Sequence, residues 1–174
     1  MVHLLNHSEM KPPLIEVPVA AHIKKFIDNH FGDPVQLDDS SSHRIAIKVF
    51  LSYNIQQDMF FTHEPMRPLP NTVFLQVNRK EYQDIHIRKQ NLVQIVKYFD
   101  KVFKEELHRY IVDNAFKHNH TNGIKHKLEE FCALHNIVLY QDITDDALIK
   151  LYYRYTKAQQ VLRAMHHYPK QATA

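Results

Sequence analysis

The spacing of apolar residues divides the chain into a mixed first half and a helical second half. Residues 1–13 show no apolar period and end in Pro12-Pro13, so they are expected to form a loose arm. Leu14 to Val17 reads as an extended segment, because Pro18 disfavours the α region in the residue before it. Pro18 is then placed near the first turn of a helix running to about Phe31, with Ile23, Phe26, Ile27 and Phe31 on one face. Gly32 stands where that helix would end in the left-handed conformation, and Asp33-Pro34 prevents its return. Val35 to Leu37 follows as a short strand.

The run Asp38-Asp39-Ser40-Ser41-Ser42 is rich in capping residues and precedes Ile45, Val49, Phe50 and Tyr53, which predicts a second helix of about ten residues. Pro65, Pro68 and Pro70 mark a loop. Thr72 to Val77 predicts a strand, with Tyr82 to Ile87 as a second, the two forming a small hairpin or sheet edge. From Asn91 the period is helical throughout: Leu92, Ile95, Val96, Phe99, Val102, Phe103, Leu107, Tyr110 and Ile111 recur at three- and four-residue intervals. This long central helix should end in the polar stretch Lys117 to Asn122.

After Gly123 a helix is expected from Ile124 to about Asn136, with Ile124, Leu128, Phe131, Cys132 and His135 along one side. A connection, Ile137 to Ile143, leads to Thr144, which has the chemistry of an N-cap, and Asp145 and Asp146 then suit the positive end of the helix dipole. The last helix should run to about Met165. The fold class is therefore mainly α with a small β element (α+β): five helices around the one at 91–117. Its parts are an arm at 1–13, a mixed part at 14–90 and a helical part at 91–168. No repeat of 20 to 50 residues points to a solenoid.

Charge changes this picture. The net +3 resolves, on cutting after Asn78, into −2 (6 Lys and Arg against 8 Asp and Glu) and +5 (16 against 11). A basic half joined to a near-neutral half suits a phosphate-contacting module attached to a partner-binding one. On the last helix Leu148, Leu151, Tyr152, Tyr155 and Leu162 form an apolar stripe, while Lys150, Tyr153, Arg154 and Lys157 fall at i, i+3, i+4 and i+7 on another face. Two helices joined by a compact turn make a helix-turn-helix candidate, and that second stripe is what a recognition helix needs. Arg can hold a guanine edge, and Lys and Tyr can reach phosphates or bases. The same four residues also suit an ordinary solvated face.

Lys127-Leu-Glu-Glu-Phe131, then Ile143-Thr-Asp-Asp-Ala-Leu-Ile-Lys-Leu-Tyr-Tyr-Arg-Tyr155, resembles the C-terminal end of small, poorly characterised proteins of phages and integrated mobile elements. Glu16-Val-Pro-Val-Ala-Ala-His-Ile-Lys-Lys-Phe26 with Gly32-Asp-Pro34 adds to the likeness. The resemblance implies a mobile-element context and transfers no catalytic residue.

Catalytic chemistry finds little footing. Gly32 and Gly123 are the only glycines, which excludes a phosphate-cradling loop or a Rossmann turn. His118, His120, His126, Cys132 and His135 are the densest group of metal-ligating residues, yet their spacing matches no standard zinc module. His118-Asn119-His120 with Tyr152-Tyr153 resembles the histidine pair and nicking tyrosine of rolling-circle nucleases, but Asn119 stands in a polar stretch where an apolar strand residue is needed. The carboxylate pairs are adjacent in sequence, so on helices they diverge by about 100°. Cys132 lies on the buried side of its helix as an inert thiol, and a single cysteine fits a reducing cytoplasm. No apolar run approaches the roughly 18 residues of a membrane span.

The expectation is a cytoplasmic, non-enzymatic DNA-binding protein without cofactor or metal, a regulator contacting DNA through the 144–165 helix. It is expected to act as a homodimer, with the long helix as a dimer surface. An interaction or phage assembly protein is the alternative, and a metal-dependent nuclease a third.

Overall fold

Alternation and helical period translate directly into elements in the computed structural model, which describes residues 13–37, 42–52, 71–77, 89–115 and 123–167. Strand β1 (Leu14–Val19) buries Ile15, Val17 and Val19 and turns Leu14 and Glu16 outward, the two-residue period of a strand with one face on a core. Pro18 belongs to this strand and not to the first turn of the following helix. β1 is an edge strand, the position in a sheet where a residue lacking an N–H is tolerated.

Helix α1 (Ala21–Phe31) buries Ile23, Phe26 and Ile27. It ends at Gly32, whose N–H donates to the Asp28 carbonyl at 3.0 Å. Gly32 has φ +85 as a glycine terminus should, but ψ 169 carries the chain away extended and not through the left-handed helical cap. Strand β2 (Val35–Gln36) follows.

Strand β3 (Asn71–Gln76) is the middle strand, antiparallel to β1 with Val17 opposite Val73 and parallel to β2 with Val35 opposite Leu75. The hairpin expected between 72–77 and 82–87 is therefore not what organises this sheet. The strands flanking β3 come from far earlier in the chain, and Tyr82 to Ile87 lie outside the described residues, as do Tyr53, the arm at 1–12 and the loop prolines. The sheet joins residues distant in sequence, and periodicity within a window cannot report that.

Helix α2 (Ser42–Ser52) corrects the expected face. Ile47 and Leu51 are buried, whereas Ile45 and Val49 are 50% and 51% exposed. The helix carries apolar residues on two sides, and tertiary contacts choose between them. Helix α3 (Lys89–Ala115) makes the choice through Asn91, whose side-chain amide donates to the Phe50 carbonyl at 2.6 Å and so fixes the roll of α2.

Helix α3 packs on β1, α1, α2, α4 (Gly123–Leu134) and α5 (Asp145–His167). Ile95, Phe99, Val102, Phe103, Leu107 and Ile111 are all buried, as their spacing predicts. Phe103 is the hub: it meets Phe26 edge-on at 5.3 Å and Phe131 at 5.7 Å, tying α1, α3 and α4 together. One core cluster runs from Ile15 to Tyr152. Lys97, Lys101, Glu105, Arg109, Val112 and Asp113 are what α3 exposes. The apolar side of α3, the helix expected to serve as a dimer surface, is packed within the chain, which leaves mainly charged residues on its outer side. Five helices and a three-stranded sheet, among the described residues, make this a mainly helical α+β fold.

Candidate nucleic-acid interface

The base of α5 is built as its sequence suggests. Thr144 Oγ1 accepts from the Ala147 N–H at 3.2 Å, capping the helix, and Asp145 and Asp146 occupy the first turn. Asp145 also pairs with Lys125 of α4 at 2.9 Å. Leu148 and Tyr152 are buried, and Leu151 and Tyr155 are half-buried. The His108 ring of α3 stacks on Tyr152 at 5.9 Å and meets Tyr155 edge-on at 5.4 Å. Burial holds the His108 pKa below its ordinary value, and the charge of Arg163 adds to the effect.

Contact with the body then ends. From Lys157 to Ala164 every residue is exposed except the half-buried Gln159. Leu162, expected on the buried stripe, is 49% exposed, because the last turns of α5 no longer lie against the core. The apolar stripe continues in sequence for two turns further than the surface it packs against.

All four residues of the expected DNA-contacting stripe, Lys150, Tyr153, Arg154 and Lys157, are exposed. At about 100° per residue they lie on the side of α5 turned away from Leu148 and Tyr152. The structure therefore brings them together on one solvent-facing side. Tyr153 rests edge-on against Tyr152 at 5.5 Å. Among the described residues, none of Lys150, Arg154, Lys157 or Arg163 forms an ion pair with a carboxylate. The sequence states the reason: after Asp146 the chain has five Lys and Arg and no Asp or Glu. That one-sided composition was legible from the start and is a sharper signal than the halves divided at Asn78. Val161, 48% exposed, continues the line of Lys150, Arg154 and Lys157, a place that the apolar spacing of the helix does not single out.

The connection from α4 to α5 departs from a helix-turn-helix. It occupies residues 135–144, longer than the tight turn of that motif, and Asn136 and Tyr140 take left-handed φ of 55 and 67. The Val138 N–H donates to Asp142 Oδ2 at 2.7 Å, the Tyr140 N–H donates to the Ile143 carbonyl at 2.8 Å, and Leu139 bridges Ile143. Asp142 also pairs with Lys25 of α1 at 2.6 Å. Burial opposes the Asp142 charge, but Lys25 and the Val138 N–H outweigh it and hold its pKa below the ordinary carboxylate value. The loop is thereby fastened to α1. Both α4 and α5 pack mainly on α3, not on each other.

The metal-ligating residues are engaged otherwise. Asn29 donates one amide hydrogen to the Leu134 carbonyl and the other to His135 Nδ1, both at 3.1 Å, which makes His135 a neutral ring protonated on Nε2. Burial lowers the His135 pKa and pushes the Cys132 thiol up to about 11. His126 is exposed beside Glu130 at 3.0 Å. Among the described residues, no three His, Cys, Asp or Glu side chains converge to hold a metal ion. His118 and His120 lie outside the described residues. Tyr152, one of the two tyrosines of the nuclease reading, is buried against His108. Among the described residues, no helix is long and apolar enough to cross a membrane.

Comparison with family models, with curated proteins and with solved structures returns no match.

Proposed function

We propose that the protein binds double-stranded DNA through the outward side of α5, with Lys150, Arg154 and Lys157 on phosphates or base edges and Tyr153 beside them. The observation that carries this is the composition of α5 beyond its first turn: exposed cations, no carboxylate and, among the described residues, no ion pair competing for them. Such a surface favours a polyanion, and the diameter of a helix fits the major groove. Asp145 and Asp146 make the N-terminal tip the acidic end of the helix. DNA therefore approaches along the middle and C-terminal turns, unlike a recognition helix that enters tip first. A regulatory role in a phage or mobile element rests on the resemblance of residues 127–131 and 143–155 to proteins of that setting.

The test is fluorescence anisotropy on labelled duplex DNA across a salt series. Three phosphate contacts give a slope of about −2.7 in log affinity against log salt, and Lys150→Ala with Arg154→Ala should reduce it by about 1.8 while leaving the fold intact. Absence of binding at low salt would sink the reading. A second reading, a protein-interaction or assembly role, is favoured by Leu162, Ile45 and Val49, which are exposed apolar residues. It requires a discrete oligomer or complex in sizing chromatography without nucleic acid.

A further inference from the structure

The outward side of α5 changes character along its length. Asp146 stands at its start, Lys150, Arg154 and Lys157 follow, and Val161 and Ala164 end it, all of them exposed. Lys150, Arg154, Lys157 and Val161 are spaced four, three and four residues apart, so they form one line on the helix, with Ala164 close beside it. Val161 is one of several half-exposed apolar residues, and what sets it apart is its place at the end of a line of cations. Pairing with a second copy along this line would set Arg154 and Lys157 against like charges, with Asp146 alone, at the far end, to offset them. A polyanion that also presents a methyl group fits both halves of the line. In duplex DNA the thymine C5-methyl in the major groove is such a group, flanked on both sides by phosphates.

We propose that Val161, with Ala164, packs on thymine methyl groups in the major groove while Lys150, Arg154 and Lys157 hold the backbone, so that the protein prefers A·T-rich duplex. This deepens the DNA reading above and rests on it. Lys150 to Val161 spans about 17 Å along the axis, within the reach of one helix laid in a groove. Charge supplies the attraction and Val161 the discrimination.

The experiment compares three labelled duplexes of equal length: an A·T-rich sequence, the same sequence with deoxyuridine replacing thymidine, and a G·C-rich sequence. The A·T-rich duplex should bind tightest, and loss of the methyl should weaken binding by about fourfold for each methyl covered. In Val161→Gln, which keeps a good helix former, the difference between thymine and uracil should vanish while the salt slope stays as in the wild type. Equal affinity for thymine and uracil duplexes overturns this inference and leaves the DNA reading standing. Persistence of the preference in Val161→Gln also overturns it, since groove shape would then be its source. A change in oligomeric state in Val161→Gln would assign the residue to contact between copies and refute the proposal. Absence of any DNA binding refutes both readings together.

Discussion

Leu148 and Leu162 lie fourteen residues apart on one helix, fall on one stripe by spacing, and occupy opposite environments. Leu148 is fully buried against the core and Leu162 is half exposed in the last turns of α5. Truncating each to alanine measures where α5 stops being held. Leu148→Ala removes a buried isobutyl group from a site closed on all sides, at a cost of about 3 kcal/mol from lost transfer energy and a residual cavity. Leu162→Ala removes a side chain of which about half is in water, leaves no cavity, and gains a few tenths of a kcal/mol in helix propensity. Its net cost is under about 1 kcal/mol. With a urea m value of about 2 kcal/mol/M, the first variant shifts the unfolding midpoint by about 1.5 M and the second by less than about 0.5 M. Circular dichroism at 222 nm in a urea series, at two protein concentrations, reads both. Equal shifts would refute the claim that the last turns of α5 stand free. A Leu162→Ala shift that grows with protein concentration would place the residue in contact between copies instead.

Burial lowers the pKa of His22, His108 and His135, against the Asp142 backbone and the Asp100 charge at His22 and together with Arg163 at His108. The unfolded chain then binds more protons than the folded one just below the ordinary histidine value. Stability should be complete above about pH 6.5 and fall as pH drops below it, and urea midpoints from pH 7.5 to 5 check this. A flat profile would contradict the burial of these rings. Thr144→Ala removes the cap of α5 and should cost about 1 kcal/mol, with Thr144→Ser restoring most of it. Cys132, buried with its thiol raised to about 11, should resist iodoacetamide at pH 8 in the folded protein and react once urea unfolds it.

Much of this architecture could be read along the chain, and the failures share one cause. The α3 core positions, the buried side of α4 and the cap at Thr144 are local patterns, set by residues three or four apart, and they stand where spacing places them. Pro18, the β3 pairing, the roll of α2 and the exposure of Leu162 depend on what lies beside each element. Pro18 is tolerated in a strand because β1 has a neighbour on one side only. Ile45 and Val49 look as apolar as Ile47 and Leu51 until Asn91 grips the α2 carbonyls. Leu162 continues a stripe that is no longer packed against the core. The candidate site followed the same rule: Lys150, Tyr153, Arg154 and Lys157 share a face because helical geometry alone requires it. The graded ending at Val161 became visible only once the buried side of α5 was fixed.

The clasp between Asp142 and Lys25 bears on mechanics as well as on stability. With Asp142 fastening the loop to α1 at one end and His108 bracing Tyr152 and Tyr155 on α3, α5 is a beam clamped over its first three turns and largely exposed from Lys157 to Ala164. Load applied to the free end is carried by the helix's own backbone hydrogen bonds to a fixed root. A partner pressing on Lys157 or Val161 therefore works against a lever whose length is set by the chain and whose root is held at Leu148 and Tyr152.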